Sequence, residues 1–281
     1  GGWTMERENI SRSSFKHNFL KHVIIRLDFQ GVLQAEMDKI LMQVKPYLKE
    51  RGFNRYEQQI NNEIDINMNS NGIFETASPV KEIRNIAIHS FINDNSGYAV
   101  DLSIKHICIK VNATKYIPFD EYATTFMDIS NIYRSTIDFF TMKRFGLRKI
   151  NFCYVNSVEC INKYFNQRYF DCYDLFSESE VFASEKKENF SVDHCKLNLL
   201  CDIEQGQLND KQVYKLTLDS DIYIDDTNSI EKDIFEAENI SVLNKRLFMI
   251  YVDALTEEFG RMLLCDEDID QDEIIGVERN E

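Results

Sequence analysis

The sequence predicts an α+β fold, mainly antiparallel sheets covered by long helices and organised as two similar or intimately packed halves. Three observations carry that prediction. Alternating apolar and polar runs follow one another between residues 56 and 112 with no helical pattern between them, which indicates a meander rather than parallel crossovers. Apolar stripes at helical spacing recur at 33–48, at 119–140 and from about 230 to 264. With only 3 Pro and 10 Gly in 281 residues, breakers are too sparse for a sandwich of many short strands, so long elements are expected.

The elements follow in order. Gly1 to Thr4 precede Met5 and are read as a remnant ahead of the native start. Residues 22 to 29 place Val23, Ile25, Leu27 and Phe29 at period two, with Arg26 and Asp28 on the other face: a half-buried strand. Leu33, Met37, Ile40, Leu41, Val44 and Leu48 then mark a helix, and Gly52 suits its C-terminal cap. Extended runs cover 56–68, 80–92, 97–104 and 106–112, with a turn at Asn93 to Gly97. Pro118 opens a helix carrying Phe119, Tyr122, Phe126, Ile129, Ile132, Tyr133, Ile137 and Phe140, which Gly146 is expected to end before another strand.

Residues 5–157 thus read as an N-terminal half, β-α-β-β-β-β-α-β. A connecting segment spans 158–190, with Ser177 to Asn189 its best loop candidate. The C-terminal half, 191–265, reads as strands near 192–204 and 211–224, a polar turn from Asp225 to Ser229, and one helix from about 230 to 264. The carboxylate-rich tail, 266–281, is expected to be a solvated end.

Composition narrows the function. The chain has 47 Asp+Glu against 32 Lys+Arg, a formal charge of −15, which repels phosphate backbones, so nucleic acid is not an expected partner. The glycine-rich phosphate loops G-x-x-x-x-G-K-[ST] and G-x-G-x-x-G do not occur, and no cofactor is predicted. The seven cysteines, Cys108, Cys153, Cys160, Cys172, Cys195, Cys201 and Cys265, form no compact ligand pair and read as reduced thiols. With no leader and no apolar stretch of membrane-spanning length, a cytoplasmic protein without a membrane partner is expected.

Catalytic motifs are missing as well. His17, His22, His89, His106 and His194 form no H-E-x-x-H, and neither G-x-S-x-G nor S-x-x-K occurs. The sharpest carboxylate cluster is Asp219, Asp221 and Asp225, which share one face of a strand with Tyr223. These carboxylates could converge on Mg²⁺ or Mn²⁺ for phosphodiester chemistry, or form an exposed strand face running into an acidic turn. Tyr133, Arg134, Lys143, Arg144, Arg148 and Lys149 form a basic and aromatic constellation that would bind a phosphate or an acidic partner, or simply place charge near a helix end.

One resemblance spans nearly the whole chain. The early strand VIIRLDF, the central Gly146-Leu147-Arg148-Lys149-Ile150-Asn151, and the late strand with Asp219 and Asp221 before a long C-terminal helix resemble a sporadically distributed, largely uncharacterised family of prokaryotic proteins with a central G-L-R-x-I-N motif. The chain departs from it at Phe152, where the family commonly has a basic residue, and keeps its late pattern only as Leu255-Thr256-Glu257-Glu258. The family's patchy distribution implies the setting of accessory or defence genes, antiviral defence among them, and implies no reaction.

On a strand from Leu147, Arg148 and Ile150 share one face and Asn151 the other, so Arg148 is expected to pair with a carboxylate of the acidic second half, with ligand recognition the competing role. Arg144, Arg148, Lys149 and Asn151 are therefore the candidate binding residues. The expected function is non-enzymatic binding of a protein partner, with a homo-oligomer open, as an accessory or antitoxin-like inhibitor. The alternatives are a metal-dependent phosphoesterase or nuclease using Asp219, Asp221 and Asp225, and a chaperone-like binder of unfolded chains.

Overall fold

The computed structural model describes residues 10–67, 80–113, 117–171, 182–226, 230, 237–265, 269–270 and 272–280. Its strands are β1 (His17–Asn18), β2 (Leu20–Gln30), β3 (Arg55–Asn67), β4 (Val80–Asn93), β5 (Tyr98–Leu102), β6 (His106–Asn112), β7 (Thr141–Val155), β8 (Ala183–Val192), β9 (Cys195–Leu208), β10 (Lys211–Ile224), β11 (Ile274–Ile275) and β12 (Glu278–Arg279). The helices are α1 (Gln34–Glu50), α2 (Phe119–Thr136), α3 (Val158–Tyr164), α4 (Ala237–Asp253) and α5 (Glu257–Leu264).

The expected architecture, sheets under long helices in two halves, is overturned. One ten-stranded antiparallel sheet runs through the chain in the order β3-β4-β5-β6-β2-β7-β10-β9-β8, with β11 added along β7. Strand outweighs helix by 46% to 31%, and short helices replace the long covering ones. The physical reason lies in two misread junctions. The apolar stripe from Phe119 stops being helical at Ile137, whose backbone is extended (φ −114°, ψ 118°), and Phe139 is exposed. Residues from Thr141 then pair with β2 and β10, so Gly146 sits inside a central strand instead of capping a helix.

The second junction is at Ala254 and Leu255, both fully buried, where the expected helix of 230–264 breaks. Thr256 then caps α5, its Oγ1 accepting a hydrogen bond from the Phe259 amide at 3.3 Å. Part of the segment expected to be a loop, from Ala183 onward, is instead strand β8 at one edge of the sheet. The acidic tail is not simply solvated: Ile269, Ile274 and Val277 are buried, β11 pairs with β7, and β12 pairs with β1. Asp266, Glu267 and Asp268 lie outside the described residues, as do Gly1 to Thr4 and Cys172.

Packing follows from strand alternation. The odd residues of β2 (Val23, Ile25, Leu27, Phe29) meet Met37, Ile40 and Val44 of α1 and Phe126, Ile129 and Tyr133 of α2 in one buried cluster. Cys153 and Val155 of β7 and Leu216 and Leu218 of β10 meet Ile161 of α3, Val252 of α4 and Phe259 and Leu263 of α5 in a second. Both clusters lie on one face of the sheet, so the described helices cover that face, and among the described residues none of them covers the other. Burying Val23 or Ile25 contributes about 1.5–3 kcal/mol each, and a one-residue slip of β2 would turn them outward. At the junction of β9 and β10, Asn209 and Asp210 both take positive φ (51° and 62°), the geometry of a tight two-residue hairpin turn that fixes the register of β10.

Candidate binding face

The uncovered face is built from the residues that alternate with the core. On β7, Leu147, Lys149 and Asn151 point to the helices, while Arg144, Gly146, Arg148 and Ile150 point away. Antiparallel register sets Asp221 opposite Arg148, Asp219 opposite Ile150 and Tyr223 opposite Gly146. Ion pairs therefore form on the diagonal. Arg148 donates from Nε to Asp219 Oδ1 at 2.8 Å and from Nη2 to Asp219 Oδ2, a bidentate clamp. Arg144 donates from Nη2 to Asp221 Oδ2 at 2.8 Å and lies 4.4 Å from the centre of the Tyr223 ring.

Gly146 makes the second diagonal possible. A Cβ there would stand 3.2 Å from Arg144 Nη1 and 3.4 Å from Asp221 Oδ1, so the missing side chain is the channel through which Arg144 crosses. On the other side of β7, Arg26 pairs with Asp28 at 2.7 Å, and Lys110 of β6 pairs with Asp101 of β5 at 2.5 Å. Together these strands floor a groove of about 450 Å³, lined by Ile24, Arg26, Cys108, Lys110, Arg148 and Asp221 among others. Its cations stand further out than its carboxylates: the Arg148 and Lys110 side chains are 45% and 56% exposed, those of the lining Asp28 and Asp221 28% and 19%.

Burial raises the Asp221 carboxyl above the usual carboxylate value, and Arg144 and Arg148 pull it back. Pairing with Asp219 raises Arg148 further above its already high value. Burial pushes the Cys108 thiol up to about 11, so the cysteine in the groove stays a thiol and is a poor nucleophile at neutral pH. Cys108, Cys153, Cys160, Cys195 and Cys201 are buried, and among the described residues none is in a disulfide.

The predicted site residues are thus split by the sheet. Arg144 and Arg148 face the groove, whereas Lys149 and Asn151 face the helices: Asn151 donates to the Leu218 carbonyl at 3.2 Å, and Lys149 donates to Asn244 of α4. Tyr133 leaves the basic constellation altogether, being buried in the core with its hydroxyl donating to the Ser103 carbonyl at 3.1 Å. Asp219, Asp221 and Asp225 do share a face, but each is held by its own cation, Asp225 by Lys196. Among the described residues no group of three or more His, Cys, Asp or Glu side chains is arranged to hold a metal ion. Arg26 and Lys110 also line the groove, and the strand alternation that turns them away from the core-facing Ile25 and Ile109 is the sequence signal for that placement.

No protein-family model matches the chain. No curated protein matches it either. Among solved structures, the S. pombe Pct1 RNA triphosphatase in complex with the Spt5 CTD aligns over 95% of this chain and 93% of its own, at 6% identity and a TM-score of 0.15, a likeness that transfers neither fold nor activity. No helix among the described residues is long and apolar enough to cross a membrane.

Proposed function

We propose that this chain is a non-enzymatic partner-binding protein that receives a protein partner on the uncovered face of its sheet. One observation carries the reading: the helices cover a single face, and the opposite face presents a groove whose rim cations, Arg26, Lys110, Arg144 and Arg148, sit against Asp28, Asp101, Asp219 and Asp221. On a chain of net charge −15 this balanced patch is locally free of the repulsion that dominates the rest of the surface. Paired charges on a rigid central strand fix the orientation of a bound protein through polar complementarity. A groove lined by ion pairs favours a folded partner over the apolar segments of an unfolded chain.

The resemblance carried by Gly146 to Asn151 supports an accessory or antitoxin-like role in a prokaryotic defence system. Capture from native cells with the genomic neighbours co-expressed tests the proposal. A partner retained by the wild type and lost by Arg144→Glu/Arg148→Glu is the expected result; recovery of no partner counts against it, and recovery of only a second copy of this chain would make the face a self-association surface.

A further inference from the structure

The strand order ends at β8, and one long side of that strand is open: β9 pairs with it, and among the described residues no other strand does. The Gln205 amide donates to the Phe182 carbonyl at 3.0 Å, which puts Phe182 and every second residue after it in hydrogen-bonded positions toward β9. The backbone amides and carbonyls of Ala183, Glu185, Lys187, Asn189 and Ser191 are therefore directed away from the sheet, as a template for one more strand.

Sheet edges are normally protected by short length, proline, bulges or unbalanced charge. Strand β8 has ten residues, no Pro and no Gly, and its register with β9 is unbroken. Its charges cancel within the strand, Lys187 pairing with Glu185 at 2.8 Å and Lys186 with Glu188 at 3.3 Å. On a chain of net charge −15 this edge is locally neutral, so a second copy can approach it without the repulsion of the wider surface. Apolar side chains mark both ends: Phe182 is 74% exposed, Phe190 39% and Val192 37%. All three stand on the helix side of the sheet, where Leu197 and Cys195, the β9 partners of Phe190 and Val192, join the core.

We propose that β8 is a self-association edge, on which two copies of this chain join their β8 strands antiparallel about a two-fold axis at Lys187. An axis perpendicular to the sheet keeps the helices of both copies on one side and continues the sheet from one copy into the other. In this register outward-directed backbone meets outward-directed backbone: Glu185 lies opposite Asn189 of the second copy, and Ala183 opposite its Ser191. On the helix side, Lys186 lies opposite Glu188 of the second copy, twice by symmetry, and Phe182 opposite its Val192, an apolar pair at each end. Lys187 meets its own counterpart at the axis, and the Glu185 beside it offsets that repulsion. One added ladder of this length makes a small interface, so the dimer forms reversibly with concentration. No residue of β8 lines the groove, so the proposal does not rest on the partner-binding reading.

The experiment is sedimentation equilibrium of the full chain between about 1 μM and about 1 mM. The wild type is expected to pass from monomer to dimer within that range. Lys187→Pro removes an amide directed away from β9, so it should weaken dimerisation about tenfold or more while the pairing of β8 with β9 is kept. Lys186→Glu carries the test if the proline disturbs the strand: it sets like charges opposite each other at two places and should weaken dimerisation several-fold, and Lys186→Glu/Glu188→Lys should restore it. A monomer at every concentration overturns the proposal. So does a dimer indifferent to both single substitutions, or one that the double exchange fails to restore.

Discussion

The Arg148 guanidinium closes on the Asp219 carboxylate of the neighbouring strand through two parallel hydrogen bonds, the pairing that ties β7 to β10 across the groove. The Asp219 side chain is 10% exposed and that of Arg148 45%, so the loss of the arginine strands a carboxylate that water reaches poorly. We expect Arg148→Ala to cost about 1–3 kcal/mol in urea unfolding, most of it the unpaired carboxylate rather than the screened ion pair itself. Adding Asp219→Asn should recover most of that loss. Equal destabilisation by Arg148→Ala in the Asp219→Asn background would show that the pairing is not its source.

Two glycines separate geometry from space. Gly31 has φ +98°, and a Cβ there would meet the Phe139 carbonyl oxygen at 1.8 Å, a backbone atom that cannot swing away. Gly31→Ala is expected to cost about 3 kcal/mol or more. Gly146→Ala meets the mobile end of Arg144 at 3.2 Å and Asp221 Oδ1 at an ordinary 3.4 Å, so it should change stability by less than about 1 kcal/mol. Thermal melts of the two variants check the ordering, and similar losses at both sites would refute it.

Lys149 gives an opposite sign. Its folded pKa lies well below the ordinary lysine value because of burial, with Arg12 contributing. The unfolded chain therefore binds this proton more readily than the fold, and Lys149 reduces stability at neutral pH. Lys149→Met should raise the melting temperature, by the equivalent of about 1–3 kcal/mol. A lower melting temperature would mean that the Asn244 contact outweighs the desolvation cost.

Histidines set the acid limb. Burial, joined by Lys45 at His89 and by Arg26 at His106, lowers both side chains below the ordinary histidine value. Below about pH 6.5 the unfolded chain takes up protons that the folded sites resist, so stability present above that pH is lost as pH falls through the lowered values. Asp221, raised by burial, works the other way at lower pH, so the histidine effect is cleanest between about pH 7 and 5. The melting temperature should fall across that window and fall less steeply in His106→Gln. A slope unchanged by the substitution would assign the acid loss elsewhere.

Much of the fold was legible because it rests on local periodicity. The stripe Met37, Ile40, Leu41, Val44 and Leu48 is the buried face of α1, and Gly52 takes the positive φ of 83° expected just past its end. Pro46 sits inside that helix on its exposed side, where water can satisfy the carbonyl freed at Met42. The errors arose where tertiary pairing overrode local pattern. Phe140 fits a helical stripe by spacing, yet it packs on Phe29 from the residue just before β7, with ring centres 4.7 Å apart. Thr256 followed by Glu257 and Glu258 was a readable helix start inside a pattern that apolar spacing alone made continuous.

The site divided the same way. Alternation sufficed to put Arg148 and Asp219 on strand faces, but the diagonal that joins them depends on the β7 to β10 register, which no local pattern sets across a separation of 71 residues. The surroundings of Lys149 were not legible at all. Arg12, Tyr251 and Asn280 come from the two ends of the chain and meet Lys149 only because β12 pairs with β1 and α4 packs over β7.

The most direct measurement of the central claim is the affinity of the captured, purified partner for rim variants of the uncovered face and for a control on the helix side. Arg26→Ala and Lys110→Ala alter exposed rim cations, and Met42→Lys alters an exposed position of α1 that faces away from the groove. Partner binding through the groove predicts at least tenfold weakening by the rim variants, measured well below the melting temperature of each, and no change with Met42→Lys. Unchanged affinity in both rim variants, or loss confined to Met42→Lys, would contradict it.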